Sequence, residues 1–507
     1  MEKVYSKIHN RQIFCPKSHA FTGILILVTF FLLSCSYPDG IYSYSDQQAD
    51  IYPAYKETVI PYNIAPLNFM IREEGSRFIT RFAVNGVDSF DMNSKGKVQI
   101  PERKWKKLLE DNRGKKINIS IFAKQQSGWK RYPAVSFTIA QEPVDPYLAY
   151  RLIEPGYEMW NEVGIYQRCM ENFEEKPIII NSLTDGSCMN CHSFCKKNPQ
   201  TMLFHVRAQH AGTIFLKNGI IKKVNTKAPG ELSAGVYPSW HPGGRYVAFS
   251  VNLTWLASHS TNNNKVEVYD DNSDLVIYDT ETNTIFTDSL IHSKESFETF
   301  PEWSPDGRFL YFCSSRARPM PEQYDSLRYD LLRIPFDVET AKFASQVDTI
   351  ISSSDTGKSA SLARISPDGK YIIFCMAAYG TFPVWHRDND LYLLDLENNK
   401  ITNLETINSN QSDSYHSWSS NGRWIVFSSR RSDGTFTLPY ISYFDVDGKA
   451  YEPFLLPQKN PLRYDFSMKS YNIPEFISGK VEVSPYEFTE AIVKNKAVEI
   501  NEFQKIQ

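Results

Sequence analysis

Residues 300–315 read "FPEWSPDGRFLYFCSS": a short apolar-polar alternation, a Ser-Pro-Asp-Gly turn, and a second alternation rich in aromatic residues. Period-two alternation on both sides of a Gly-closed turn is the pattern of a β-hairpin, because successive strand side chains point to opposite faces. The same pattern returns at 237–252 ("YPSWHPGGRYVAFSVN"), 363–377 ("ARISPDGKYIIFCMA") and 415–430 ("YHSWSSNGRWIVFSSR"). The turn glycines Gly244, Gly307, Gly369 and Gly422 stand 63, 62 and 53 residues apart. Such intervals leave room for about four strands per repeat, the size of a propeller blade.

The further strands are legible at "DLVIYDTET", "YDLLRIPFDVET", "DLYLLDLENN" and "YISYFDVDG", one set after each hairpin. Residues 202–224 ("MLFHVRAQHAGTIFLKNGIIKKV") carry strands of another blade without the opening turn, and a C-terminal strand is expected to complete it and close the ring. The repeats resemble the TolB-type β-propeller repeat, most closely in Trp303-Ser304-Pro305-Asp306-Gly307-Arg308 followed by "FLYF". The fourth copy departs from it, with Ser420-Asn421-Gly422 in place of Pro-Asp-Gly, though Asn-Gly supports the same turn. The expected fold is mainly β: an N-terminal β-sandwich-like domain, a cysteine-bearing segment, and a C-terminal propeller of five or six blades.

Aligning the repeats also assigns faces. Trp240, Trp303, Ile365 and Trp418 are equivalent and should pack between blades. Their neighbours Ser239, Glu302, Arg364 and Ser417 should then face the central channel, where Glu302 and Arg364 could pair. That row suits either a polar ligand mouth or a hydrated channel with ordinary ion pairing. Cys313 and Cys375 fall six residues after the turn glycine, where the other copies have Ser250 and Ser428. They are expected to be small buried residues, too far apart for a disulfide.

The chain has 507 residues, 42% hydrophobic and 22% charged, enough for two or three domains with real cores. A net charge of -3 without a long basic run excludes nucleic acid as an evident partner. Lys3, Lys7, Arg11 and Lys17 precede an apolar run from Phe21 to Leu33, too short to span a bilayer and typical of an export signal. The run ends in Leu32-Leu33-Ser34-Cys35, which resembles the lipobox of bacterial lipoproteins and implies acylation at Cys35. That places the protein in the cell envelope of a Gram-negative bacterium, periplasmic or surface-facing and held to a membrane by lipid. The expected division is a signal peptide over 1–34, a polar tether over 35–57, and a small sandwich-like domain over 58–141 with one helix beginning at Pro101. A loop-rich cysteine segment over 142–200 and the propeller with its tail over 201–507 complete it.

The cysteine segment contains Cys188-Met189-Asn190-Cys191-His192. Cys-x-x-Cys-His points to covalent c-type haem, since two thiols can bond the vinyl groups while the adjacent imidazole ligates iron. His192 is then the proximal ligand and His205 the favoured distal one, with Met202 and His210 as competitors. Met202 and His205 are three apart on a strand, so only one faces the iron. Arg207 lies on the His205 face and could pair with a propionate. Cys169 and Cys195 are left for a possible disulfide. Two other chemistries stay open: a tetrahedral zinc or disulfide knot from Cys169, Cys188, Cys191 and Cys195 with His192, and a redox pair. The motif together with "MLFHVRAQHAGTIF", "YGTFPVWHRDNDLYLLDL" and the repeats resembles a group of exported bacterial propeller proteins described as TolB-like or cytochrome-c-like. The resemblance implies haem and an envelope setting, and draws attention to His386.

Two functions follow as expectations. One is an envelope lipoprotein whose haem transfers or senses electrons while the propeller docks a protein partner. The other is a non-enzymatic scaffold binding protein or glycan, with a structural cysteine cluster. An enzyme is the weaker expectation, because no Gly-x-Ser-x-Gly elbow or following hydrolase domain is present.

Overall fold

A computed structural model describes residues 42–154, 161–260 and 264–506. The signal run and Cys35 lie outside the described residues. Six four-to-five-stranded sheets form a closed ring of blades, and two further sheets form the N-terminal domain.

The innermost strands of the six blades are Ser470–Ile477, Met189–Phe194, Val236–Trp240, Ser296–Trp303, Ser359–Ile365 and Asp413–Trp418. Each contacts the next, and the last contacts the first, so the ring has no open seam. Closure is by exchange of chain ends. In the first blade Ser470–Ile477 pairs with Tyr147–Ile153, which continues to Val163–Cys169 and Glu175–Ile180. The blade count is therefore six.

Residues 142–200 thus differ from the expected loop-rich segment: they supply three strands of the first blade and the inner strand of the second. The C-terminal strand closes the ring in the first blade, not in the blade of residues 202–224. That second blade already has its inner strand, Met189–Phe194, paired with Thr201–Val206. The tail adds two parallel edge strands, Val498–Glu499 on the second blade and Glu502–Ile506 on the third.

The repeat turns are built alike. Ser304 Oγ donates to Asp306 Oδ1 at 2.6 Å and accepts from Phe309 N at 3.0 Å, and Ser366/Asp368 and Ser419/Asn421 repeat the pattern at 2.6 Å. The residue six after the glycine ties each blade to the next. Ser250 Oγ accepts from Phe300 N at 3.1 Å and Ser428 Oγ donates to Tyr471 O at 2.7 Å, while Cys313 and Cys375 sit fully buried in the equivalent places. Burial pushes both thiols up to about 12.

In the N-terminal domain a seven-stranded sheet and a three-stranded sheet share one core with the helix Glu102–Glu110, whose Trp105, Leu108 and Leu109 are buried. Residues 42–57, within the tether expected over 35–57, are part of the folded domain. Tyr42–Tyr44 forms a parallel edge strand, and Ala49, Ile51 and Tyr55 enter the core. The same core runs on into the sixth blade at Trp424, Val426 and Ile441. Asp145 accepts from Ser420 N at 2.7 Å and Pro143 O from Trp424 Nε1 at 2.9 Å, so the domain is docked on the ring.

Candidate functional site: two chambers on one axis

In all six innermost strands the pairing register slips at the same place. The residue at the slip takes a left-handed backbone each time: Cys191 (φ 54°), Tyr237 (48°), Phe300 (51°), Leu362 (52°), Tyr415 (46°) and Ile473 (53°). A bulge of this kind re-aims the side chains that follow it. A non-glycine residue held there costs about 1–2 kcal/mol, so the surrounding packing must over-determine it. Two residues on come Ser193, Ser239, Glu302, Arg364, Ser417 and Glu475; three on come Phe194, Trp240, Trp303, Ile365, Trp418 and Phe476, all buried.

The bulge residues form a belt across the axis. Tyr237 meets Phe300 with ring centroids 4.6 Å apart, and Phe382 approaches Tyr415 at 5.9 Å. An upper cavity of about 900 Å³ lies on one side of this belt and a lower chamber of about 480 Å³ on the other. Tyr415 and Ile473 border both.

The upper cavity brings together Arg151, Cys191, His205, Arg207, Tyr237 and Trp385, among others. Arg151 is 8% exposed, holds Asn190 Oδ1 through one guanidinium nitrogen, and leaves Nε without a partner. Arg207 is exposed at the rim. His205 Nδ1 is held by Thr213 Oγ1 at 2.9 Å, which in turn meets Thr226 Oγ1 at 2.9 Å. Burial, helped by Arg207, lowers the His205 pKa to about 3, so the ring is neutral. The cavity wall is completed by a long hairpin of the third blade, Tyr246–Ser258 with Val266–Asp279. His386 fastens that hairpin to the fifth blade: its Nε2 lies 2.7 Å from Glu267 Oε2, and both residues are buried.

The lower chamber is bordered by Ser239, Glu302, Arg364 and Ser417, together with Ser193 and Glu475 from blades whose repeats carry no Pro-Asp-Gly turn. Arg364 Nη1 lies 3.4 Å from Glu302 Oε2, which also accepts from Ser239 Oγ at 3.1 Å.

The Cys-x-x-Cys-His motif straddles the belt. Cys191 borders the upper cavity and His192 the lower chamber, so the motif's second thiol and its imidazole face different compartments. His192 is 3% exposed, neither ring nitrogen makes a well-formed hydrogen bond, and burial lowers its pKa to about 3. A c-type haem needs the two thiols and the adjacent imidazole on one porphyrin. As arranged, Cys188, Cys191 and His192 do not fit that group. Of the distal candidates, Met202 is wholly buried in the packing of the second blade and His210 pairs with Asp185 at 2.9 Å; only His205 borders the cavity.

The residues expected for a zinc or disulfide knot stand apart. Among the described residues no three His, Cys, Asp or Glu side chains gather in a way that could hold a metal ion, and Cys169, Cys188, Cys191 and Cys195 are all free. Cys169 ends a strand of the first blade, whereas Cys195 Sγ lies against the third-blade turn, 3.7 Å from His241 O. Burial raises the thiol pKa of Cys188 and of Cys195, which keeps both protonated and poorly nucleophilic.

Fold and chambers together define the class: a six-bladed β-propeller with a docked β-sandwich-like domain. No protein-family model matches the sequence, and no curated protein matches it. Among solved structures the chain is similar to prolyl oligopeptidase B from Galerina marginata, at 10% identity and a TM-score of 0.36, over 66% of this chain and 42% of that one. It is similar to a puromycin-hydrolyzing peptidase of Mycobacterium tuberculosis at 11% identity and a TM-score of 0.34, over 68% of this chain and 51% of that one. A periplasmic gluconolactonase of Pseudomonas aeruginosa matches at 12% identity and a TM-score of 0.32, over 65% of this chain and 99% of that one. This chain thus spans about half or less of the two peptidases.

Proposed function

We propose that the protein is an exported, lipid-tethered binding propeller with no reaction of its own, and that its upper cavity takes an acidic carbohydrate. The lipid tether rests on the Cys35 lipobox. The ligand class rests on one observation: two guanidiniums, the buried Arg151 and the exposed Arg207, border the same cavity as Tyr237 and Trp385. A guanidinium matches a carboxylate bidentately. The neutral His205 offers an imidazole acceptor or donor in the same cavity.

Titration calorimetry with a glucuronate-bearing disaccharide and its neutral counterpart tests the proposal. The acidic sugar should bind at least tenfold more tightly, and Arg207→Ala should remove most of that preference. Equal binding of the two, or none, rejects it. A haemochrome band from protein matured with a haem-attachment apparatus would instead return the motif to electron transfer.

A further inference from the structure

The lower chamber has a charge arrangement that the ring does not require. Of its six channel-facing positions, three are serines and three are ionic: Glu302, Arg364 and Glu475. Two further charges, Lys196 and Lys197, are brought in from outside the repeat. After the inner strand of the second blade the chain takes two consecutive left-handed residues, Lys196 (φ 48°) and Lys197 (φ 63°). The Lys197 carbonyl is pinned by Ser478 N at 2.9 Å and Ser478 Oγ at 3.1 Å. Lys197 Nζ donates to Ser417 Oγ at 3.0 Å and faces Glu475 Oε1 at 3.8 Å. Two left-handed non-glycine residues in a row are strained, and strain of this kind concentrates at functional sites.

The two ion pairs are loose. Glu302 meets Arg364 at 3.4 Å and Glu475 meets Lys197 at 3.8 Å, beyond the 2.7–2.9 Å of a full charge-assisted hydrogen bond. All four side chains are one third exposed or less. Burial raises both carboxyls, Glu475 to about 7, with Lys197 and Arg364 opposing the shift and Glu302 adding to it. Neither carboxylate therefore has a cation at full hydrogen-bond distance, while Lys197 and Arg364 keep donors to spare. A single cation would satisfy one half of this arrangement and a single anion the other.

We propose that the lower chamber binds a small zwitterion, an α-amino acid or dipeptide, with its ammonium at Glu475 and Glu302 and its carboxylate at Lys197 and Arg364. The volume of about 480 Å³ lies within the range of small-molecule sites and exceeds what such a ligand fills, leaving room for water. The entrance lies at the repeat turns, since Pro242, Pro305 and Pro367 border the chamber. This site is independent of the upper cavity.

Calorimetric titration of the full mature chain with diglycine, N-acetyldiglycine, diglycine amide and methylammonium separates the outcomes. Diglycine should bind, and blocking either end should weaken it at least tenfold. Glu475→Gln should lower diglycine affinity at least fivefold while leaving the melting temperature within a few degrees; Lys197→Met should act the same way. Should Lys197→Met fail to fold, Ser417→Ala, which loosens the lysine without deleting it, should give a smaller loss. Binding of methylammonium or of the blocked peptides as tight as diglycine overturns the proposal, as does the absence of heat for every probe.

Discussion

Cys191 and Tyr415 hold one and the same position in two blades: each is the left-handed residue at the register slip of an innermost strand, with φ of 54° and 46°, and each borders the upper cavity. The residues that follow match as well, His192-Ser193-Phe194 against His416-Ser417-Trp418. The motif that suggests a haem is, in its second half, a blade strand obeying the repeat.

Replacing Cys191 with glycine should therefore be tolerated. Glycine adopts a left-handed backbone without penalty, which offsets the loss of a small buried side chain. Urea denaturation should place Cys191→Gly within about 1 kcal/mol of the wild type. His192→Ala removes a buried ring at the chamber wall and should cost about 2–3 kcal/mol. Visible spectra of the wild type and Cys191→Gly should be the same; colour lost with the thiol would reinstate the haem.

The turn glycines separate backbone strain from crowding. Gly307 and Gly369 have nearly equal φ, 76° and 74°, but a Cβ on Gly307 would lie 2.3 Å from His241 Nε2, whereas one on Gly369 meets nothing within 4 Å. Gly369→Ala should cost about 1–2 kcal/mol, the left-handed penalty alone. Gly307→Ala must also displace the His241 ring from Gly307 O, which it contacts at 3.1 Å, and should cost at least 1 kcal/mol more by the same denaturation assay.

Four blades were legible because their turn chemistry is local: a Ser, an Asp or Asn and a Gly within four residues announce three of them, and His241-Pro242-Gly243-Gly244 announces the other. The first two blades carry no such turn. The first is assembled from residues more than 300 positions apart, and no local pattern pairs Tyr147–Ile153 with Ser470–Ile477. A signal did exist in Pro474-Glu475-Phe476, which repeats Pro301-Glu302-Trp303, and it places Glu475 in the channel beside Glu302. The Cys-x-x-Cys-His spacing overlies a weaker repeat, Cys191-His192-Ser193-Phe194, that runs through it. Local spacing says which residues are close in the chain, not which side of a bulge each one faces.

Ring closure gives a test by truncation. A chain ending at residue 469 lacks the inner strand of the first blade and should lose its cooperative thermal transition, because both neighbouring inner strands are left with an open edge. A chain ending at residue 496 loses only the parallel edge strands of the second and third blades. It should keep a single transition, lowered by several degrees. Circular dichroism melts and gel filtration distinguish the two.

The sharpest pH dependence should come from the seam between the third and fourth blades. Glu298 is 2% exposed, with Oε2 unpartnered, and burial together with Asp274 pushes its pKa up to about 7. Asp274 is raised to about 6, and His292, held between Asp274 at 3.4 Å and Glu231 at 3.1 Å, is also raised. In each case the folded state binds its proton more tightly than the unfolded chain, so stability is greatest below the unfolded pKa and falls as pH rises through the folded one. For Glu298 that window runs from about 4.5 to about 7. The opposite limb belongs to His192, His205 and His416, all lowered to about 3 by burial: their contribution is present above the usual histidine range and is lost as pH falls. Glu298→Gln removes one alkaline term and leaves the acid limb untouched. Urea denaturation at pH 5 and pH 8 should show the wild type losing about 1–3 kcal/mol more than the variant over that interval. Parallel losses in the two proteins would mean that Glu298 is already ionised in the fold at pH 5.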